Sequence, residues 1–548
     1  MKSHFGGVNM NSKFKLLLFA AGKLDKIGGI QRSYQILLNF LIENGWDITL
    51  VGFWEGREYD RNKLSYSLSN KIKIKIINYG FETNDLKEVE KVKNIIREES
   101  PSISLIVNSS RVGLSFAQIL NEMNESYVYS IRGSSEYCLK YLWPCRKSLE
   151  VVFQASNYSH VLMPSYADFF PKDIKEKIRV IPSQIEPAQV MANVADKNSD
   201  EDFVILYSGR FSFEKRIDLL ISAFSMIKDS NPEWKLLLVG DGPEKESLIN
   251  LVKDLSLSTH ISFLSVNNTE AMYDIYPRVH LKVLPSEQEG CPMALREAMA
   301  HSIPVIAFEE CSGANEIIEH NKNGLLVGGG DRVSNLAQAI EVLIHSPELR
   351  ETMGGNALET SREYDPEIIN KAWEKLILDG MQAESNYSKE MISSRAEAKH
   401  TLRKFSESEK YWNHYLFERD KTVFENHKDD YYLVFGSTFF DHVYYLENYV
   451  DVKRSGEDPL LHYISVGWKC GFNPSEEFST EKYIKYYMDG DAKGLCPLTH
   501  YLEVGRFSGA RAIFVSSGYY TKWPRRRRTW KQNKKDPYLT VFNKNLKK

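Results

Sequence analysis

The chain is short of most things that place a protein in a class at once. Its 548 residues hold six cysteines, Cys138, Cys145, Cys291, Cys311, Cys470 and Cys496, none of them in a C-x-x-C pair. A disulfide framework and a structural zinc are therefore not indicated, and reduced thiols of a cytoplasmic protein are expected. No apolar run approaches the roughly 20 residues of a membrane span, so any membrane contact is expected to be peripheral. Leu16 to Ala21, flanked by Lys15 and Lys23, lacks a small-residue cleavage site and reads as a first strand rather than a signal peptide. A dominant charge is also missing, since the net is −3. That balance hides an asymmetry: residues 518–548 carry 11 Lys/Arg against one Asp, which leaves 59 basic and 72 acidic residues, a net of −13, elsewhere. The length exceeds one ordinary domain and predicts two large ones with additions.

What is present centres on Leu284 to Val327, LPSEQEGCPMALREAMAHSIPVIAFEECSGANEIIEHNKNGLLV. It reads as strand, Gly/Pro turn, helix, strand, turn, helix and strand, the alternation of a parallel α/β layer. Pro292 suits a first helical position, which would leave the backbone N–H groups of Gly290, Cys291 and Met293 facing an anion at the strand end. Glu297, about two turns in, could accept both hydrogen bonds of a ribose diol, and Glu289, in the preceding loop, could reach sugar hydroxyls held by the same phosphates. Two glutamates at this spacing are also what solvated helix residues give, so the flanks decide.

Those flanks are Pro285-Ser286, Glu297-Ala298-Met299-Ala300, Pro304-Val305-Ile306-Ala307, Gly313, Glu316 and Asn323-Gly324-Leu325. With them the stretch resembles the E-x7-E signature of retaining GT-B glycosyltransferases of the family 4 type. The resemblance implies an α/β fold: two Rossmann-like domains facing across a cleft, here with a mainly helical C-terminal extension. Arg296, where Leu is commoner, and Ser302, where Gly is commoner, depart from the pattern and leave both carboxylates in place.

Residues 1–12 read as a disordered or misassigned start. A strand (14–20), the Gly28-Gly29 loop, a helix (31–44) and a strand (47–53) then open a βαβ unit. The paired glycines let the backbone approach a ligand and aim the helix N-terminus at it, although Gly-Gly is also a common turn; in the family this loop meets the donor phosphate. Strands at 104–108 and 127–131 follow. After the latter, Arg132 stands where many relatives have His, and could clamp an anionic acceptor or donor group or form a surface salt bridge. The N-terminal, acceptor domain is set at 13–187, completed by a crossing helix at 366–381, and Ala188 to Asp202 reads as a linker.

The C-terminal donor domain, 203–364, begins with a strand and then Gly209-Arg210 with Lys215, which resembles the family's G-R-x(4)-K element. A departing diphosphate needs cations, and Arg210 and Lys215 in one strand-end loop supply them without a metal. Gly242, in a tight turn after the next strand, and Ser265-Val266 are candidate nucleotide contacts, with Gly242 equally a plain turn.

Residues 384–430 read as a helical connector whose Leu402, Phe405, Trp412 and Leu416 share one face. Residues 438–513 hold two copies of a 38-residue repeat, with 12 identities over 32 positions between 440–471 and 478–509. It is similar to a repeat appended to bacterial glycosyltransferases. His462 and His500 read as hydrogen-bonded core histidines rather than ligands. The basic tail, 518–548, has Trp523 and Trp530 among its cations and suits an anionic membrane surface better than a nucleic acid.

The resemblance implies a retaining, metal-independent hexosyltransferase, with no cofactor beyond its nucleotide-sugar co-substrate. A UDP-sugar donor is favoured and the acceptor is a saccharide, lipid-linked if the tail meets membrane. The setting would be bacterial surface polysaccharide biosynthesis, at the inner face of the cell membrane. A GT-B nucleotide-sugar epimerase and a catalytically silent scaffold of a polysaccharide assembly complex are the alternatives.

Overall fold

The computed structural model describes residues 14–26, 28–54, 59–64, 66–78, 86–107, 111–134, 146–197, 202–266 and 269–412, and parts of 427–502. The basic tail lies outside the described residues, as do the side chains of Phe405, Trp412 and Leu416. Two parallel sheets form the body. The first comprises β1 (Lys15–Lys23), β2 (Asp47–Phe53), β3 (Lys73–Ile77), β4 (Ile103–Val107), β5 (Tyr127–Ser130), β6 (Tyr158–Val161) and β7 (Ile178–Val180), in the order β3-β2-β1-β4-β5-β6-β7. The second comprises β8 (Phe203–Ser208), β9 (Trp234–Val239), β10 (Ile261–Leu264), β11 (Leu281–Leu284), β12 (Val305–Phe308) and β13 (Gly324–Val327), in the order β10-β9-β8-β11-β12-β13. Each sheet reverses its winding once, between β1 and β4 and between β8 and β11. Ligands of doubly wound sheets bind outside the strand carboxyl ends at such a reversal.

The central strands are aliphatic because helices cover both faces. Leu16, Leu17, Leu18, Phe19 and Ala20 of β1 are all buried, as are Leu281, Val283 and Leu284 of β11. Lys282, between them, is buried as well. The edge strand β3, KIKII, escapes the sequence reading because its alternating lysines belong to an edge rather than a core.

A difference from expectation lies between β12 and β13. The sequence pattern suggests a helix there, whereas the chain makes successive turns. Asn323 explains this: its side-chain oxygen takes the Glu319 N–H at 2.9 Å and its amide donates to the Ile317 carbonyl at 3.1 Å, diverting groups that a helix would use. Gly313, at φ 83°, starts the segment in a left-handed conformation.

The helix Pro366–Met381 starts with an Asp365 cap and returns to the N-terminal half. Ile369, Trp373, Leu376 and Ile377 join the cluster of Leu37, Leu41 and Leu105. A helix at Lys389–Trp412 follows and lies against the helices Arg111–Glu122 and Arg146–Ala155. Arg395 donates to the Ala155 carbonyl at 3.0 Å and to Asn157 Oδ1 at 2.7 Å, Asn121 donates to the Lys399 carbonyl at 2.9 Å, and Leu402 is fully buried. Further on, an aromatic core of its own gathers Phe440, Tyr445, Tyr463, Phe478, Tyr483 and Tyr501. Its geometry recurs at the 38-residue offset. Tyr445 meets His462 Nδ1 at 2.9 Å and Tyr483 meets His500 Nδ1 at 3.1 Å, and the ring centroids of Tyr445–Tyr463 and Tyr483–Tyr501 lie 5.9 and 5.7 Å apart.

Candidate active site

The reversal between β8 and β11 sends two loops to the same place. The loop after β8 passes through Gly209, at φ 154°, where only glycine is comfortable, and ends in a 3₁₀ turn, Phe213–Lys215. The loop after β11 runs from Pro285 to Pro292 into the helix Met293–Ala300. Pro292 itself, at φ −65° and ψ 108°, caps that helix rather than starting it. The N–H groups of Gly290, Cys291 and Met293 donate no hydrogen bond within the described residues.

Glu289 is fixed from its own side. Its Oε1 accepts from Lys215 Nζ at 2.8 Å and from Ser286 Oγ at 2.7 Å, and both members of the pair are largely buried. Burial works against the Lys215 ammonium, but Glu289 outweighs it and holds the lysine above its ordinary range. Arg210 differs: its side chain is exposed and makes no ion pair within the described residues, while its carbonyl is held by the Tyr207 hydroxyl at 3.0 Å. It is therefore available to a ligand.

Glu297 is fixed from across the cleft. Arg32, one turn into the helix Gly29–Glu43, forms an ion pair with its Oε1, donates to Tyr273 at 2.5 Å and reaches Glu186 at 3.1 Å. Tyr276 donates to Glu297 Oε2 at 2.9 Å. Burial pulls the Arg32 guanidinium down, while Glu297, Tyr273 and Glu186 together raise it above its ordinary value. Desolvation, with Glu297 adding to it, pushes the Tyr276 hydroxyl well up, so it remains a donor.

The two halves touch along this line. A Cβ on Gly290 would stand 2.7 Å from the Arg132 carbonyl, and one on Gly29 would stand 3.0 Å from Met293 Sδ. Tyr166 donates to the carbonyls of Glu289 and Gly290 at 2.6 and 2.8 Å, and Ser165 binds Glu316. Gly28 is tied by Tyr66, whose hydroxyl meets both its N–H and its carbonyl at 3.1 Å.

Arg132 stands behind this wall rather than on a surface. It is buried, donates to Ser33 and to Ser183 at 3.3 Å, and lies 5.7 Å over the Trp373 ring. Desolvation, with repulsion from Arg296, lowers its guanidinium to about 10. Neither a surface salt bridge nor an open clamp describes it in this conformation. Gly242 and Ser265 sit by the exposed turn after β9, with Ser265 Oγ 3.2 Å from the Gly240 carbonyl, and Val266 packs partly into the core. A Cβ on Gly242 would stand 2.2 Å from the Phe211 carbonyl, so a structural reason alone requires glycine there.

Three participants escape the sequence reading: Arg32, Tyr273 and Tyr276. Arg296 is noticed and discounted there, yet it is fully buried, bonds to the Ser183 carbonyl and to Cys291 O at 3.1 Å, and so ties the motif loop to the end of the N-terminal domain. Gln184, beside Ser183, bonds in turn to Ser33 O at 2.7 Å and Asn370 at 3.3 Å.

Comparison with known proteins fits this geometry. Residues 192–360 match the family described as Glycosyl transferases group 1. An uncharacterised glycosyltransferase of Haemophilus influenzae is 23% identical over 376 residues, 66% of this chain and 100% of the relative. A Campylobacter jejuni enzyme, GalNAc-alpha-(1->4)-GalNAc-alpha-(1->3)-diNAcBac-PP-undecaprenol alpha-1,4-N-acetyl-D-galactosaminyltransferase, is 22% identical over 363 residues, 64% of this chain and 95% of that one. Among solved structures, Anabaena HepE in complex with UDP and glucose superposes with a TM-score of 0.54 at 18% identity, covering 66% of this chain and 98% of the other. Residues 192–360 are thus similar to glycosyltransferase group 1 domains, and the two Rossmann-like sheets, facing each other at their strand ends, have the arrangement of a GT-B fold.

Proposed function

We propose that the protein is a retaining hexosyltransferase that moves a sugar from a nucleotide donor, a UDP-sugar by preference, to the hydroxyl of a lipid-linked saccharide, without a metal, in surface polysaccharide biosynthesis. The observation that carries this reading is the convergence, at one winding reversal, of Glu289 on Lys215, an available Arg210, and a carboxylate, Glu297, one helix turn beyond unengaged N–H groups. The family description and the Haemophilus and Campylobacter relatives support sugar transfer, the Campylobacter name supports an undecaprenol-linked acceptor, and the Anabaena complex supports UDP.

In this reading Glu297 takes the ribose diol once Arg32 yields it, and Glu289 orients the donor hexose. Arg210 and Lys215 neutralise the diphosphate as the bond from the anomeric carbon to the phosphate oxygen breaks. The acceptor oxygen bonds to that carbon from the same face, and its proton passes to the departing phosphate oxygen. In this reading the lipid-linked acceptor brings the work to a membrane surface and the nucleotide-sugar donor to its cytoplasmic face; among the described residues no helix is long and apolar enough to cross a membrane.

The test is nucleotide release from UDP-, GDP- and ADP-sugars by the full chain, beside Glu289→Ala and Arg210→Ala. Release with one donor, lost in both variants, establishes the site and names the sugar. Silence across the panel, with no thermal stabilisation by any nucleotide, turns the reading to a scaffold.

A further inference from the structure

A lysine inside a parallel strand covered on both faces is costly, because an ammonium there loses its water. Lys282 is in that position, fully buried in the middle of β11. Its Nζ crosses to the neighbouring β8, donating to Ser208 Oγ at 2.7 Å and approaching the Ser208 carbonyl at 3.4 Å. It lies 5.3 Å from the centre of the Tyr207 ring. These two strands flank the winding reversal, and Ser208 is the last strand residue before Gly209-Arg210. The cation thus sits directly beneath the two loops that carry the candidate site.

The groups facing it are identifiable on every side. From the motif helix comes Glu297, from the preceding loop Glu289, and both act on the Lys282 charge. Tyr276 joins Glu297 to Ser208 from the side, and Tyr207 closes the floor; burial raises both phenols, so they stay neutral. Each glutamate has another cation, Lys215 or Arg32, closer than Lys282. Packing alone gives no reason for an ammonium here, since an apolar side chain of equal length would fill the strand at no desolvation cost.

We propose, on the basis of the nucleotide-sugar reading above, that Lys282 is a positioning residue of the donor site. Held by Ser208 between Glu289 and Glu297, it sets the two motif loops and takes up a proton when an anionic donor binds over them. Desolvation, opposed by Glu297 and Glu289, brings the free-enzyme ammonium down to about 7, so near neutral pH a large share of the molecules hold Lys282 uncharged. A diphosphate above the loops favours the charged form, and binding then draws a proton from solvent. The sign follows: donor affinity falls as pH rises through the neutral range.

The experiment is calorimetric titration of the full chain with UDP-glucose, with GDP-mannose and ADP-glucose beside it, in buffers of differing ionisation enthalpy from about pH 6 to about pH 9. Wild type is expected to take up a fraction of a proton and to weaken by about tenfold across the range. Lys282→Met should bind about tenfold more weakly at the acid end, with no linked proton and a flat profile. Lys282→Arg, whose charge does not titrate, should keep the affinity and lose the pH dependence, and it also covers failure of the methionine variant to fold. Proton uptake that persists in either variant, or equal affinity in Lys282→Met, overturns the proposal while leaving the transferase reading intact. Absence of binding by wild type to all three probes overturns both.

Discussion

The two walls of the cleft are built on the same sheet plan and hold their charges differently. On the C-terminal side three cations are settled within one domain: Lys215 with Glu289, Arg216 with Glu287 at 2.8 Å and Asp218 at 3.0 Å, Lys282 with Ser208. On the N-terminal side the surface is largely glycine backbone and neutral hydrogen bonds, among them Ser33 Oγ to Gln184 at 2.9 Å, and Arg32 finds Glu297 and Tyr273 in the other domain. One wall is therefore organised before the halves meet, and the other is completed by their meeting. A diphosphate gains most from cations already in place.

The comparison breaks first where the N-terminal wall is braced. Trp373 lies fully buried in the returning helix, under Arg132 and 4.2 Å from the His160 ring. Trp373→Ala is expected to cost about 3–5 kcal/mol in denaturant unfolding of the full chain. On the C-terminal wall, Lys215→Met leaves Glu289 largely buried with Ser286 alone, and should lower stability by about 1–3 kcal/mol. Arg32→Met removes a pair that is buried more deeply still, yet separation of the two halves would return Glu297 to water, so the loss should stay under about 1 kcal/mol. Its effect should appear instead as a larger radius of gyration by small-angle scattering without donor; equal losses for the two variants would erase the distinction between the walls. The smallest effect concerns Ser302, at φ 64° in a region that suits glycine. Ser302→Gly should raise stability by roughly 0.5 kcal/mol and shift the melting temperature upward, with donor affinity unchanged.

How much of this could be read beforehand depends on the range of the interaction. Both doubly wound sheets are legible because buried parallel strands announce themselves as short aliphatic runs, and Asp47–Phe53 and Pro366–Met381 fall at the residues expected. Glu289, Glu297 and Lys215 are legible through local spacing. Arg32 is not, since its partner is 265 positions away and nothing near it distinguishes a bridging arginine from a solvated one. Lys282 does carry a signal, a solitary charge inside HLKVLP just ahead of the motif stretch. Arg296 shows the reverse error: judged as a tolerated departure beside the motif, it is a tie that the motif loop and Ser183 share.

The helix Lys389–Trp412 is bolted to the outside of the N-terminal half through Arg395, Asn121 and Leu402. The helix Pro366–Met381 before it belongs to the same half. The stretch from Pro366 to residue 412 is consequently fastened to the N-terminal half by two successive helices, and the C-terminal sheet is inserted between two attachments to that half. Residue 412 ends a helix anchored on the N-terminal half, so the chain continues from that side of the cleft.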